Sequence, residues 1–156
     1  MRTKGKILNT AGRLIGGILL GLLGFVAFRA FIGSGGTITG GIPDSAPYIT
    51  AACFFVAGYR DLGGLAGLNG ANAALTGLRS TVVGMLIACV VFALLLMARS
   101  FIQGQYLDPY KAVFDWIRLI FDLFIQAALS PVMLPILVIG GAISGILVAK
   151  VNYNWR

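Results

Sequence analysis

The sequence predicts an all-α integral membrane protein, with four transmembrane helices and one amphipathic helix lying at the interface. Three observations predict it. Mean hydropathy is +0.93, and only 11% of the 156 residues are charged. The apolar residues also fall in long uncharged runs, where a soluble core would show short alternations. Residues 1–156 are read as a single membrane domain.

Span one covers about 14–32, enough for a helix that needs ~20 residues to cross hydrocarbon. Arg2, Lys4, Lys6 and Arg13 precede it as the basic region of a secretory signal would. Arg29 stands where a small-residue cleavage site belongs, so the segment is expected to be an uncleaved first span. "GSGGTITGGIPDSAP", residues 33–47, then interrupts the run with five glycines and two prolines. Span two, about 42–59, reaches that length only by including Pro43 and Asp44. It crosses marginally, either tilted or entered through an irregular turn packed against protein. "RDLGGLAGLNGANA", residues 60–73, reads as a loop with an Asn69-Gly70 turn. Span three covers about 78–97. Span four, about 131–149, opens with Ser130 as N-cap and Pro131 at the first helical position.

Charge sets the expected topology. With the N-terminus inside, the inner segments hold Arg2, Lys4, Lys6, Arg13, Arg60, Arg79, Lys150 and Arg156 against Asp61. The outer segments hold Arg29, Arg99, Lys111 and Arg118 against Asp44, Asp108, Asp115 and Asp122. That excess of inner over outer basic residues follows the positive-inside tendency and puts both termini in the cytoplasm. The net charge of +7 then faces anionic lipid. No stacking or groove-reading motif accompanies it, so nucleic acid is not an expected partner.

"DPYKAVFDWIRLIFD", residues 108–122, concentrates three of the five carboxylates of a chain without Glu. At ~100° per residue, Lys111, Asp115, Arg118 and Asp122 fall within a wedge of roughly 60°. They alternate in sign at helical spacing, each neighbouring pair worth ~0.2 to 0.5 kcal/mol. Asp108 caps this helix and Pro109 starts it, over about 109–125. As a further span it would sink four charges into lipid at ~2.5 to 3.5 kcal/mol each. It is therefore expected along the outer surface, charged seam to water and apolar faces to lipid and neighbouring spans.

Small residues recur at interfacial spacing: Gly17, Gly21 and Gly24 in span one; Gly77, Ser80, Gly84 and Ala88 in span three; Gly141 and Gly145 in span four. Such faces let helix backbones approach closely. They serve intramolecular packing, a homo-oligomer, or docking of partner subunits in a membrane complex.

The chain has no His, and its two cysteines, Cys53 and Cys89, sit apart in apolar runs. No closed zinc site, two-metal centre, cofactor or catalytic residue is expected, and the cysteines read as small core residues. Glycines 33–41 lack the Gly-Lys-Ser/Thr ending and the preceding strand of a phosphate cradle. Arg29 and Arg99 end spans one and three on the outer side. They snorkel to lipid phosphate, or together present guanidinium forks to an oxyanion.

The C-terminal half carries a resemblance. "GLRSTVVGMLIACVVFALLLMARSF", then "YLDPYKAVFDWIRLIFD", then "LVIGGAISGILVAKVNYNW" resemble the TrgA family of bacterial tellurite-resistance membrane proteins, best over residues 73–155. "VAGYRDLGGLAG" is similar to that family's second-span exit, whereas the first 47 residues match in hydropathy alone. Leu107-Asp108-Pro109 departs from the family's Asp-Gly-Pro order, and Lys111 stands where it carries an acid. The resemblance implies a non-enzymatic protein of the bacterial cytoplasmic membrane associated with tellurite resistance. The expectation from another class is an accessory or assembly subunit of a larger membrane complex.

Overall fold

The computed structural model describes residues 3–36, 44–62, 70–103 and 109–154. Among these, every regular element is an α-helix: α1 (Thr3–Gly33), α2 (Ala46–Asp61), α3 (Gly70–Ile102), α4 (Pro109–Leu129) and α5 (Met133–Asn154). Asp108 as cap, Asn69 of the predicted turn, and the start of span two at residues 42–43 lie outside the described residues.

The helix ends follow local chemistry. α1 stops where Gly35 takes φ +82° and the Gly35 and Gly36 amides donate to the Ile32 and Phe31 carbonyls, each at 3.0 Å. That is a Schellman closure, which needs a residue free of Cβ strain at the left-handed position. α2 starts only after Pro43 and Asp44, with Pro47 in its first turn, where a missing amide costs nothing. Before α5, the Ser130 hydroxyl accepts the Met133 amide at 3.3 Å, a side-chain cap on an otherwise orphan donor.

Length separates the helices. α1 from Gly12 to Gly33, α3, and α5 from Met133 to Asn152 are long and apolar enough to cross a membrane. α2 has 16 residues, ~24 Å of helix, and α4 carries its charges along its length. By length and composition alone, three helices qualify, where the sequence led us to expect four. α1 and α3 also run beyond the predicted spans, to Thr3 at one end and from Gly70 to Ile102 in the other case. Alanine at 71, 73 and 74 extends α3 into what read as a loop.

α1, α2, α3 and α5 close a ring in which each packs on the next and α5 returns to α1. Gly16 lies against Leu62 and Gly24 against Phe54, so α2 runs antiparallel to α1. Gly12 meets Asn152 and Gly140 meets Leu23, so α5 does too. Gly77 meets Gly141 while Gly145 meets Ala73, which makes α3 antiparallel to α5 and parallel to α1. Across the middle, Phe28 and Phe92 stack at 5.7 Å and 9°, joining the diagonal pair. α4 packs on α3 and α5. Leu123, Gln126 and Ala127 in the C-terminal half of α4 border the same space as Met85 of α3 and Met133 at the start of α5.

Candidate functional site

The exterior is apolar where a water-soluble bundle would be polar. On α1, Leu14, Ile18, Leu22 and Val26 point outward at every fourth position, with Leu22 59% exposed, while Gly16, Leu20, Gly24 and Ala27 face in. Val82, Leu86 and Leu94 of α3 and Leu134, Val138, Ile143 and Leu147 of α5 repeat the pattern. The buried hydroxyls are satisfied by their own helices: Thr50 donates to the Ala46 carbonyl at 2.9 Å, Ser80 to Thr76 at 3.0 Å and Ser144 to Gly141 at 3.0 Å. Back-bonding of this kind suits a solvent that offers no partners.

The small residues singled out in the sequence sit where helices touch. Gly17 lies against Phe55, Gly21 3.2 Å from the Ala51 carbonyl oxygen by the position a Cβ would take, and Gly24 against Phe54. Gly77 faces Gly141 and Gly145; Gly84 faces Phe54 and Ala57. Ser80 and Ala88 are buried beside them. Gly16 and Gly58, missed by the spacing argument, make an equally close crossing: a Cβ on either would meet the other's carbonyl oxygen. Gly58 is the one glycine of α2, with Phe54 and Leu62 at i±4, so no glycine motif announced it.

α4 divides into three sectors. Lys111, Asp115, Arg118 and Asp122 form an exposed charged strip, with Arg118 Nε 3.9 Å from Asp122 Oδ2. Ala112, Trp116, Leu119 and Leu123 turn to the bundle. Between these, Tyr110, Phe114, Ile117, Phe121 and Ile125 stand exposed, Phe114 by 74%. One face packed on protein, one exposed and apolar and one exposed and charged make α4 an amphipathic helix. The Trp116 indole nitrogen is the sole buried side-chain polar atom lacking a partner among the described residues.

Arg29 and Arg99 are both exposed. Arg29 lies over the Phe25 ring at 5.7 Å, and Phe25 in turn meets Tyr48 of α2 at 5.6 Å. Arg99 sits in the last turn of α3, where its charge complements the helix dipole. They stand on diagonal helices, and no contact among the described residues joins them.

The interior holds a cavity of about 50 Å³ lined by residues from α1, α2, α3 and α4 together with Met133 at the start of α5. Four phenylalanines, Phe28, Phe31, Phe54 and Phe92, form much of its wall; Thr50 and Gln126 are its polar members. No charged side chain among the described residues borders it. Phe31 and Gln126 also border an open depression with Ser34, Gly35 and Ser130 at the end of the bundle where α1 stops. Met85 and Ala127 border a lateral apolar groove between α3, α4 and α5. The cavity was invisible in sequence because its lining comes from all five helices.

No family model, curated protein or solved structure matches the chain. The likeness to TrgA proteins therefore rests on the residues quoted above.

Proposed function

We propose that the chain is a non-enzymatic, multi-pass protein of the bacterial cytoplasmic membrane, acting in tellurite resistance as the family it resembles does. In this reading α1, α2, α3 and α5 cross the bilayer, α4 lies in its outer interface, and both termini are cytoplasmic. The observation that supports the membrane assignment is the apolar exterior: large aliphatics point outward along α1, α3 and α5 around an interior that is apolar too, with glycine, alanine and serine at the helix crossings. Lipid tails are as apolar as leucine, so close packing of small residues is what associates helices there. α2 is short, but it runs in register with α1 along its length, and its ends carry Asp44 on one side and Arg60 and Asp61 on the other. A thinned or locally deformed bilayer accommodates such a helix at a modest cost.

The tellurite part is tested by growth. A strain lacking the gene should lose tolerance to tellurite and keep its tolerance to other oxyanions such as selenate and arsenate. Unaltered growth on tellurite would remove this function while leaving the membrane assignment standing.

A second reading, a subunit of a larger membrane complex, is favoured by the exposed aromatic sector of α4. The glycine faces are occupied within the chain, so a partner docks elsewhere, and Tyr110, Phe114 and Phe121 offer an exposed aromatic surface. Native mass spectrometry of the protein extracted in mild detergent separates the readings: a stoichiometric second chain supports the subunit, and its absence supports the first.

A further inference from the structure

Both cysteines of the chain and two of its four methionines gather in one region of the interior. Cys53, Met85, Cys89 and Met133 are each less than 9% exposed. Met85, Cys89 and Met133 border the same cavity, contributed by α3 and by the start of α5. Cys53 follows the cavity-lining Thr50 by one turn of α2 but does not itself border the space.

We propose that this cavity binds a soft monovalent cation of the Cu(I) class, held by the Cys89 thiolate and the Met85 and Met133 thioethers. Ligand type, charge and size point the same way. Thiolate and thioether sulfur select Cu(I) over the harder divalent ions, which prefer carboxylate, carbonyl or water. The described residues of the lining supply no charged side chain, so an ion held there must be neutralised largely by its own ligands. One thiolate neutralises a monovalent cation and leaves a divalent one charged. The binding step is an exchange: the thiol S–H bond of Cys89 breaks, an S–metal bond forms, and the proton leaves to water. A space of about 50 Å³ suits a desolvated ion, whereas ~150 Å³ is needed for a benzene ring. Phe31 and Gln126, shared between the cavity and the open depression at Ser34 and Ser130, mark the route of entry.

The test is a Cu(I) titration of the full chain, purified in detergent under anaerobic reducing conditions, against a chromophoric Cu(I) chelator. We expect one ion per chain. Cys89→Ser should weaken binding by about a hundredfold or more, and the double variant Met85→Leu/Met133→Leu by about tenfold. Cys53→Ser should change affinity less than about threefold, because Cys53 does not border the cavity. The leucine variants conserve volume, so folding is retained; unchanged thermal unfolding of each variant in the absence of copper verifies this. Equal losses in Cys53→Ser and Cys89→Ser, full affinity in the methionine double variant, or no binding by the unaltered chain would each overturn the site.

Discussion

Gly77 and Gly141 touch backbone to backbone: the place a Cβ on Gly77 would occupy is taken by the Gly141 carbonyl oxygen, with Gly145 3.0 Å away. This contact sets how closely α3 and α5 approach. Replacing Gly77 by leucine should separate the two helices and cost about 3 kcal/mol or more, since the obstructing atoms are backbone and cannot rotate aside. Gly33→Ala, in open space at the end of α1, should change stability by less than ~0.5 kcal/mol. Reversible unfolding in mixed micelles measures both.

Phe54 is fully buried and contacts two glycines at once, Gly24 of α1 and Gly84 of α3. In a water-soluble protein Phe→Ala typically costs ~3 to 5 kcal/mol. Here the transfer part shrinks, because lipid is as apolar as the interior, leaving mainly the cavity part. We expect Phe54→Ala to cost about 2 kcal/mol by the same unfolding measurement.

The Arg118–Asp122 pair is exposed on both sides, 82% and 57%. Asp122→Asn should therefore alter stability by less than ~0.5 kcal/mol. Phe114→Asp/Phe121→Asp, by contrast, puts carboxylates in the lipid-facing sector and should lift α4 off the bilayer. Trypsin added to sealed vesicles of known orientation reads this as faster cleavage at Lys111 and Arg118, with α1, α2, α3 and α5 undisturbed.

Arg29 and Arg99 stand apart in this structure, Arg29 over Phe25 and Arg99 at the end of α3. If each arginine is anchored on its own lipid phosphate, the effects of Arg29→Gln and Arg99→Gln on tellurite tolerance should add. A shared oxyanion site would instead make the double variant no worse than either single one. Growth of the three variants on tellurite distinguishes additivity from its absence.

Much of the architecture was legible because lipid imposes a simple code. The runs at Leu14 to Ile32 and from residue 131 onward could be nothing but buried or lipid-facing helix, and the alternation of Lys111, Asp115, Arg118 and Asp122 gave α4 its charged strip. Helix ends were less legible. Nothing in "NGANAALTG" opposes a helix strongly enough to stop α3 beginning at Gly70, and Pro43 with Asp44 delays α2 beyond what hydropathy suggests. The partners of Gly17, Gly77 and Gly145 were not readable either, since small-residue spacing marks a contact face without saying which helix covers it. The cavity is a property of three-dimensional assembly: Thr50, Cys89 and Met133 lie on three different helices and share no sequence pattern.

In the proposed topology four helices cross while α4 begins and ends on one side. Single cysteines at Ser34, Ala71, Asp115 and Lys150, in a chain with Cys53→Ala and Cys89→Ala, test it most directly when labelled with a membrane-impermeant thiol reagent on intact cells and on inverted vesicles. Positions 34 and 115 should be labelled from outside and positions 71 and 150 from inside. Labelling of positions 34 and 71 from the same side would show that α2 does not cross, and labelling of 115 from the inside would show that α4 is misplaced.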